Sequence, residues 1–141
     1  LLDEVTAEGI CVIDLDTMAH STLHIELADA LRSWCNTTAE DAPEPVLDVG
    51  LFAAAVAGYL GATASWLSPA ERQSLARGTL RICLELSARF LADALRECYF
   101  GWDASRFVSR GDHNWVRGRN QLALARAVGA RMPELQALLG A

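Results

Sequence analysis

Residues 68–100 read SPAERQSLARGTLRICLELSARFLADALRECYF. The first four are a strong helix start. Ser68 suits the N-cap, Pro69 the first helical position and Glu71 the third, where its carboxylate reaches back to the cap. Further on, 79–100 is the longest helical pattern in the chain. Leu84, Ala88, Leu91, Leu95 and Cys98 mark one stripe, and Cys83, Ser87, Phe90 and Ala94 lie beside it. The spacing predicts a helix with a wide buried face.

Outward from this stretch the pattern stays helical. Residues 23–35 carry Leu23, Leu27, Ala30, Leu31 and Trp34 at helical spacing, which places Trp34 in the core. Residues 36–45 hold two prolines among acids and read as a surface loop. Asp48 suits the N-cap of a helix over 50–60 or beyond. After a loop at 101–111, Asp112 or His113 starts another helix to about 128, and Pro133 opens a short last one. The N-terminus, LLDEVTAEGICVIDLD, reads as a β-hairpin: a polar turn over 3–9 and a strand over 10–15 that is apolar on both faces. The expected fold class is mainly α: a β-hairpin (1–17) followed by about five helices (23–141) in one domain. A lone hairpin is marginal, so the helices or a missing part must cover it.

Composition removes several functions. The chain has 141 residues and a formal charge of −6, which argues against nucleic acid or an anionic membrane surface as partner. All 12 basic residues are Arg. Without Lys there is no Schiff-base chemistry, no P-loop lysine and no kinase-type ATP lysine. The richness in Ala and Arg suggests a GC-rich bacterial coding sequence. Cys11, Cys35, Cys83 and Cys98 form no CxxC and are expected as reduced, buried thiols of a cytoplasmic protein. The uncharged run 51–67 is diluted by Gly58, Gly61, Thr63 and Ser65, so a buried helix is expected rather than a membrane span. The acidic start without Met is no signal peptide; a piece of a longer protein is expected.

Asp14 and Asp16, in CVIDLDTM at 11–18, end the apolar strand pattern. Three readings compete. Two carboxylates on one strand face suit magnesium, which takes one or two protein carboxylates and fills its octahedron with phosphate oxygens and water. A haloacid dehalogenase-type phosphatase uses a nucleophilic Asp and an acid/base Asp two residues on. That motif usually has a residue before its Thr, and its fold needs a downstream Lys; neither is present. The third reading is a turn.

The order of the motifs favours the first. IDLDT at 13–17, HIELADALRSWCN at 24–36, AED at 39–41, Tyr99–Phe100, and HNWVRGRNQL at 113–122 together resemble the aminoglycoside phosphotransferase/choline kinase superfamily. The nearest branch is that of the N-acetylhexosamine kinases. The resemblance implies a protein-kinase-like α+β fold, of which this chain is the C-terminal lobe. It implies Asp14 as a magnesium ligand and Asp16 as an accessory one. ATP is the implied co-substrate, and a hydroxyl of a small molecule such as a sugar the acceptor. There is no His-x-Asp; His24-Ile25-Glu26 is His-x-Glu and follows the Asp pair. No catalytic residue is therefore expected in this chain. The catalytic loop and the N-terminal lobe of the same protein are missing, and the fragment alone is expected to be inactive.

The remaining candidates keep two readings each. Glu26 either supports the catalytic loop or is an acid favoured by a helix N-terminus. Asp29 and Arg32 either pair on a helix surface, as their spacing allows, or contact a substrate. His113, Asn114 and Arg117 either reach an acceptor cleft, where sugar hydroxyls suit such groups, or form a helix cap with solvated arginines. Trp102 stacks on a sugar or seals the helices. The alternatives for the whole are a non-catalytic helical binding module and a phosphatase using the Asp pair.

Overall fold

The helix start at Ser68 and the pattern from 79 onward belong to one element. In the computed structural model, which describes residues 2–11, 13, 20–63 and 65–140, they form a single helix. The elements are α1 (Leu23–Cys35), α2 (Val49–Thr63), α3 (Pro69–Arg96), α4 (Arg110–Ala130) and α5 (Met132–Gly140). The protein is mainly helical, as expected. The boundaries of α1 are those its spacing predicts.

α3 begins with the predicted capping box. The Ser68 hydroxyl accepts the Glu71 N–H at 3.2 Å, and the Glu71 carboxylate accepts the Ser68 N–H at 2.9 Å. At 28 residues the helix is about 42 Å long. It stops at Glu97, which takes a left-handed conformation (φ 53°) and donates its N–H to the Asp93 carbonyl at 2.7 Å. The predicted stripe needs correction. Leu84 is 46% exposed and Leu95 89%, while Cys83, Ser87, Phe90 and Asp93 are buried. Both stripes are apolar, and the neighbours sit on the second.

α3 is the centre, packed on α1, α4 and α5, while α2 packs on α1 and α5. The core joins Leu27, Leu31 and Cys35 of α1 to Phe52 and Val56 of α2. To these it adds Leu75, Ala76 and Cys83 of α3, Leu124, Ala125 and Val128 of α4, and Leu135 and Leu139 of α5. Two glycines set the crossings. A Cβ on Gly78 would lie 2.1 Å from the His24 carbonyl oxygen, so α1 and α3 touch backbone to backbone. A Cβ on Gly118 would lie 2.7 Å from Leu91 Cγ, where α4 meets α3.

The loop from α1 to α2 is tied back on itself. The Asp48 N–H donates to the Cys35 carbonyl at 2.8 Å, and Asn36 Oδ1 accepts the Val46 N–H at 3.2 Å. Asp48 caps α2 as predicted, accepting the Leu51 N–H at 2.9 Å. α4 starts earlier than expected, because Ser109 is its cap and accepts the Asp112 N–H at 3.0 Å. Trp34 is also corrected: it is 57% exposed, on the outer side of α1. Of the thiols expected to be buried, Cys35 and Cys83 are, while Cys11 and Cys98 are exposed, one in the N-terminal segment and one just past the end of α3.

The predicted hairpin differs as well. Among the described residues the N-terminus forms a turn closed by one bridge, Leu2 to Gly9, and no strand. Asp3 explains the turn: its carboxylate accepts the N–H groups of Val5 and Thr6, and Ala7 sits at φ 58°. No strand is formed at Ile10, Cys11 or Ile13, and the rest of the predicted second strand lies outside the described residues. Among the described residues no helix is long and apolar enough to cross a membrane.

Candidate functional site

α4 delivers a row of polar side chains to one end of the bundle, against the ends of α1 and α3. Asn114, Arg117 and Asn120 recur at three-residue spacing, so they share a face. His113 stands beside them. Each meets a different piece of loop.

Asn114 is fully buried. Its amide donates to Asp93 Oδ2 at 2.9 Å, and its carbonyl oxygen accepts from Arg117 at 3.3 Å. Asp93 is 4% exposed and holds the turn after α3. Its carboxylate accepts the N–H groups of Cys98, Tyr99 and Phe100 at 3.0, 2.9 and 2.9 Å. Burial pushes this carboxyl up, but the backbone donors together outweigh burial and hold it below the usual carboxylate range.

Arg117 is the junction. Its guanidinium lies over the Phe90 ring, 4.0 Å from the centroid. It donates to Glu40 at 2.8 Å and to the Gly101 carbonyl at 3.3 Å. Glu40 also accepts from Arg32 at 3.1 Å, and Arg32 pairs with Asp29 at 2.8 Å. The predicted Asp29–Arg32 pair therefore extends into a chain, Asp29–Arg32–Glu40–Arg117, that runs from α1 to α4. Asn120 fixes the same loop by donating to the Ala42 carbonyl at 2.9 Å.

His113 is held on three sides. Its ring stacks on Phe107 with centroids 4.1 Å apart. Nδ1 accepts the Asp103 N–H at 3.1 Å, so the ring proton sits on Nε2, 3.3 Å from Asp41 Oδ2. Arg106 reaches the same Asp41 oxygen at 2.6 Å. The Asp103 carboxyl is lowered first by hydrogen bonds from the Ser105 hydroxyl and N–H, then by the charge of Arg106.

Two open clefts flank this network. The larger, about 710 Å³, runs between α1 and α3; Glu26, Asp29, Arg32, Trp34, Glu85 and Arg89 lie along it. The smaller, about 490 Å³, is lined by Asp41, Trp102, Asp103, Arg106 and His113. Glu40 and Arg117 line both and form the ridge between them. Of the predicted acceptor residues, Trp102, His113 and Arg117 thus come together at the smaller cleft. Asn114 lines neither and acts through Asp93 and Arg117. Glu26, Asp29 and Arg32 share the larger cleft.

Asp14 and Asp16, the predicted magnesium ligands, lie outside the described residues. Two carboxylates are the right donors for a hard cation. Among the described residues no group of three or more His, Cys, Asp or Glu side chains is placed to hold a metal. Sequence reasoning missed Asp93, because a single acid inside an apolar helix pattern carries no motif. It also missed the roles of Glu40 and Asp41, whose partners on α4 are more than seventy residues away. No protein-family model matches the chain.

Proposed function

We propose that this chain is the magnesium- and acceptor-binding part of an ATP-dependent phosphotransferase that phosphorylates a hydroxyl of a polar small molecule, a sugar being the favoured acceptor. It corresponds to the C-terminal lobe of a protein-kinase-like fold. The observation that carries the reading is the larger cleft. Carboxylates (Glu26, Asp29, Glu85), guanidiniums (Arg32, Arg89, Arg117) and the exposed face of Trp34 alternate along it. A wall with acceptors, fixed donors and an aromatic face suits a ligand dense in hydroxyl groups and poor in apolar surface.

In this reading each residue has a limited task. Asp14 and Asp16 hold Mg²⁺, which when bound screens the charge of the ATP phosphates. Glu26 and Asp29 accept hydrogen bonds from acceptor hydroxyls. Arg32 and Arg117, locked by Glu40, keep the cleft wall in one geometry before the ligand arrives. His113 is committed to Asp41 and the Asp103 N–H, so it positions the 39–42 loop rather than moving a proton. The chain has neither Lys nor His-x-Asp, so the nucleotide-binding lobe and the base that activates the hydroxyl are supplied from outside these residues.

The test is phosphate transfer from radiolabelled ATP to a panel of sugars, amino sugars and amino alcohols, with Mg²⁺. The 141-residue chain alone is expected to transfer nothing. The same chain joined to its upstream-encoded segment is expected to phosphorylate an acceptor, and Asp14→Asn to reduce this to background. Transfer by the chain alone, or full activity of Asp14→Asn in the joined protein, would refute the reading.

A further inference from the structure

A second, chemically different groove lies away from the clefts described above, where α1 and α5 meet the first half of α3. It measures about 480 Å³, and its polar lining is His24, Gln73, Ser74, Arg77, Arg81 and Gln136. Among the described residues no carboxylate lines it. This is unusual for a chain with a net charge of −6: the two clefts above and two further grooves are each edged by acids.

The arginines here are uncommitted. Arg32, Arg106, Arg117 and Arg131 all pair with carboxylates. Arg77 and Arg81 make no ion pair or hydrogen bond with any described residue. They are one turn apart on one face of α3, so their like charges repel. Gln73 precedes them by one more turn and puts an amide donor in the same row. Glu71, at the start of the same helix, is held in the capping box with Ser68. Gly78 lets α1 press against α3, which brings His24 to the groove wall. His24 belongs to the first turn of α1, where the helix dipole is positive.

We propose that this groove binds a small molecule bearing a phosphate group. Two guanidiniums one turn apart bracket a tetrahedral dianion with several N–H donors, and the Gln73 and Gln136 amides complete the contacts. Anion binding relieves the repulsion between Arg77 and Arg81. The site is separate from the acceptor cleft and stands or falls independently of the phosphotransferase reading.

The test is calorimetric titration of the full chain with inorganic phosphate and, separately, with phenyl phosphate, at ionic strength held constant with sodium chloride. Saturable binding in the millimolar range or tighter is expected with at least one of the two. Phenyl phosphate binding more tightly would identify a phosphomonoester, and equal binding the free anion, as the source of the group. Arg77→Gln with Arg81→Gln is expected to weaken binding at least about tenfold. Arg89→Gln, in the other cleft, is expected to leave it unchanged. The substituted arginines are solvent-exposed, and circular dichroism confirms that each variant is folded. No saturation with either probe, unchanged affinity in the double variant, or equal weakening by Arg89→Gln would overturn the proposal.

Discussion

Gly78→Ala should destabilise this protein although alanine is the better helix former. In an exposed helix interior the change gains about 1 kcal/mol. Here the added methyl would lie 2.1 Å from the His24 carbonyl oxygen and 3.0 Å from the Ala28 side chain. A carbon normally approaches a carbonyl oxygen no closer than about 3.3 Å. The shortfall exceeds about 1 Å, and the obstacle is backbone, which cannot rotate away. Overpacking typically costs about 1–3 kcal/mol, and a rigid obstacle places this case at the upper end. The net expectation is a loss of about 1–2 kcal/mol, roughly a five- to thirtyfold shift in the folding equilibrium. Urea unfolding followed by circular dichroism measures it. Gly58→Ala and Gly61→Ala in α2 are the controls. Nothing lies within 4 Å of either added Cβ, so each should gain about 0.5–1 kcal/mol. A Gly78→Ala midpoint equal to or above wild type would refute the close crossing of α1 and α3.

Two further predictions follow from ionisable groups. The Asp93 carboxyl is held below its ordinary value, so its contribution is present above the unfolded value, about 3.9, and is lost as pH falls through the lower folded one; Asp93→Asn should lower the melting temperature at neutral pH and flatten its decline in acid, and parallel melting curves against pH would exclude this role. The Cys35 thiol is pushed up to about 11 by burial and the charge of Asp48, and Cys83 to about 12 by burial, partly offset by Arg32. A thiol reagent should therefore label the exposed Cys11 and Cys98 first, and reach Cys35 and Cys83 only in denaturant.

How much of this was legible in the sequence depends on range. Features decided within one or two turns were readable. The Ser68–Glu71 capping box, the Asp48 cap, the limits of α1 and the Asp29–Arg32 pair all depend on residues a few positions apart. Features decided by a distant neighbour were not. Leu84 and Leu95 match a buried stripe as well as Cys83 and Phe90 do; which stripe is covered depends on where α4 packs. Trp34 fits the helical period of α1 yet faces a cleft. The site divides in the same way. His113 and Arg117 stood out as a local cluster, but the acids that fix them, Glu40 and Asp41, reach them only through tertiary folding. The N-terminal stretch read as a hairpin from a polar turn set beside a continuous apolar run. In the fold, the Asp3 side chain takes up the N–H groups of Val5 and Thr6, and only the single Leu2–Gly9 bridge closes.

The arrangement of helices around α3 also sets the order in which the molecule opens. α2 packs on α1 and α5 only through one side, and its outer side is solvated. Its amides should exchange with solvent deuterium well before those of α3 and α4, whose long contact buries Ser87, Phe90, Asn114 and Gln121. A state in which α2 has frayed while α3 and α4 remain paired would expose Phe52 and Val56 but leave the Arg117 junction intact. The bundle is thus graded in packing: its periphery is expected to sample solvent on its own, before the corner that holds the candidate site opens.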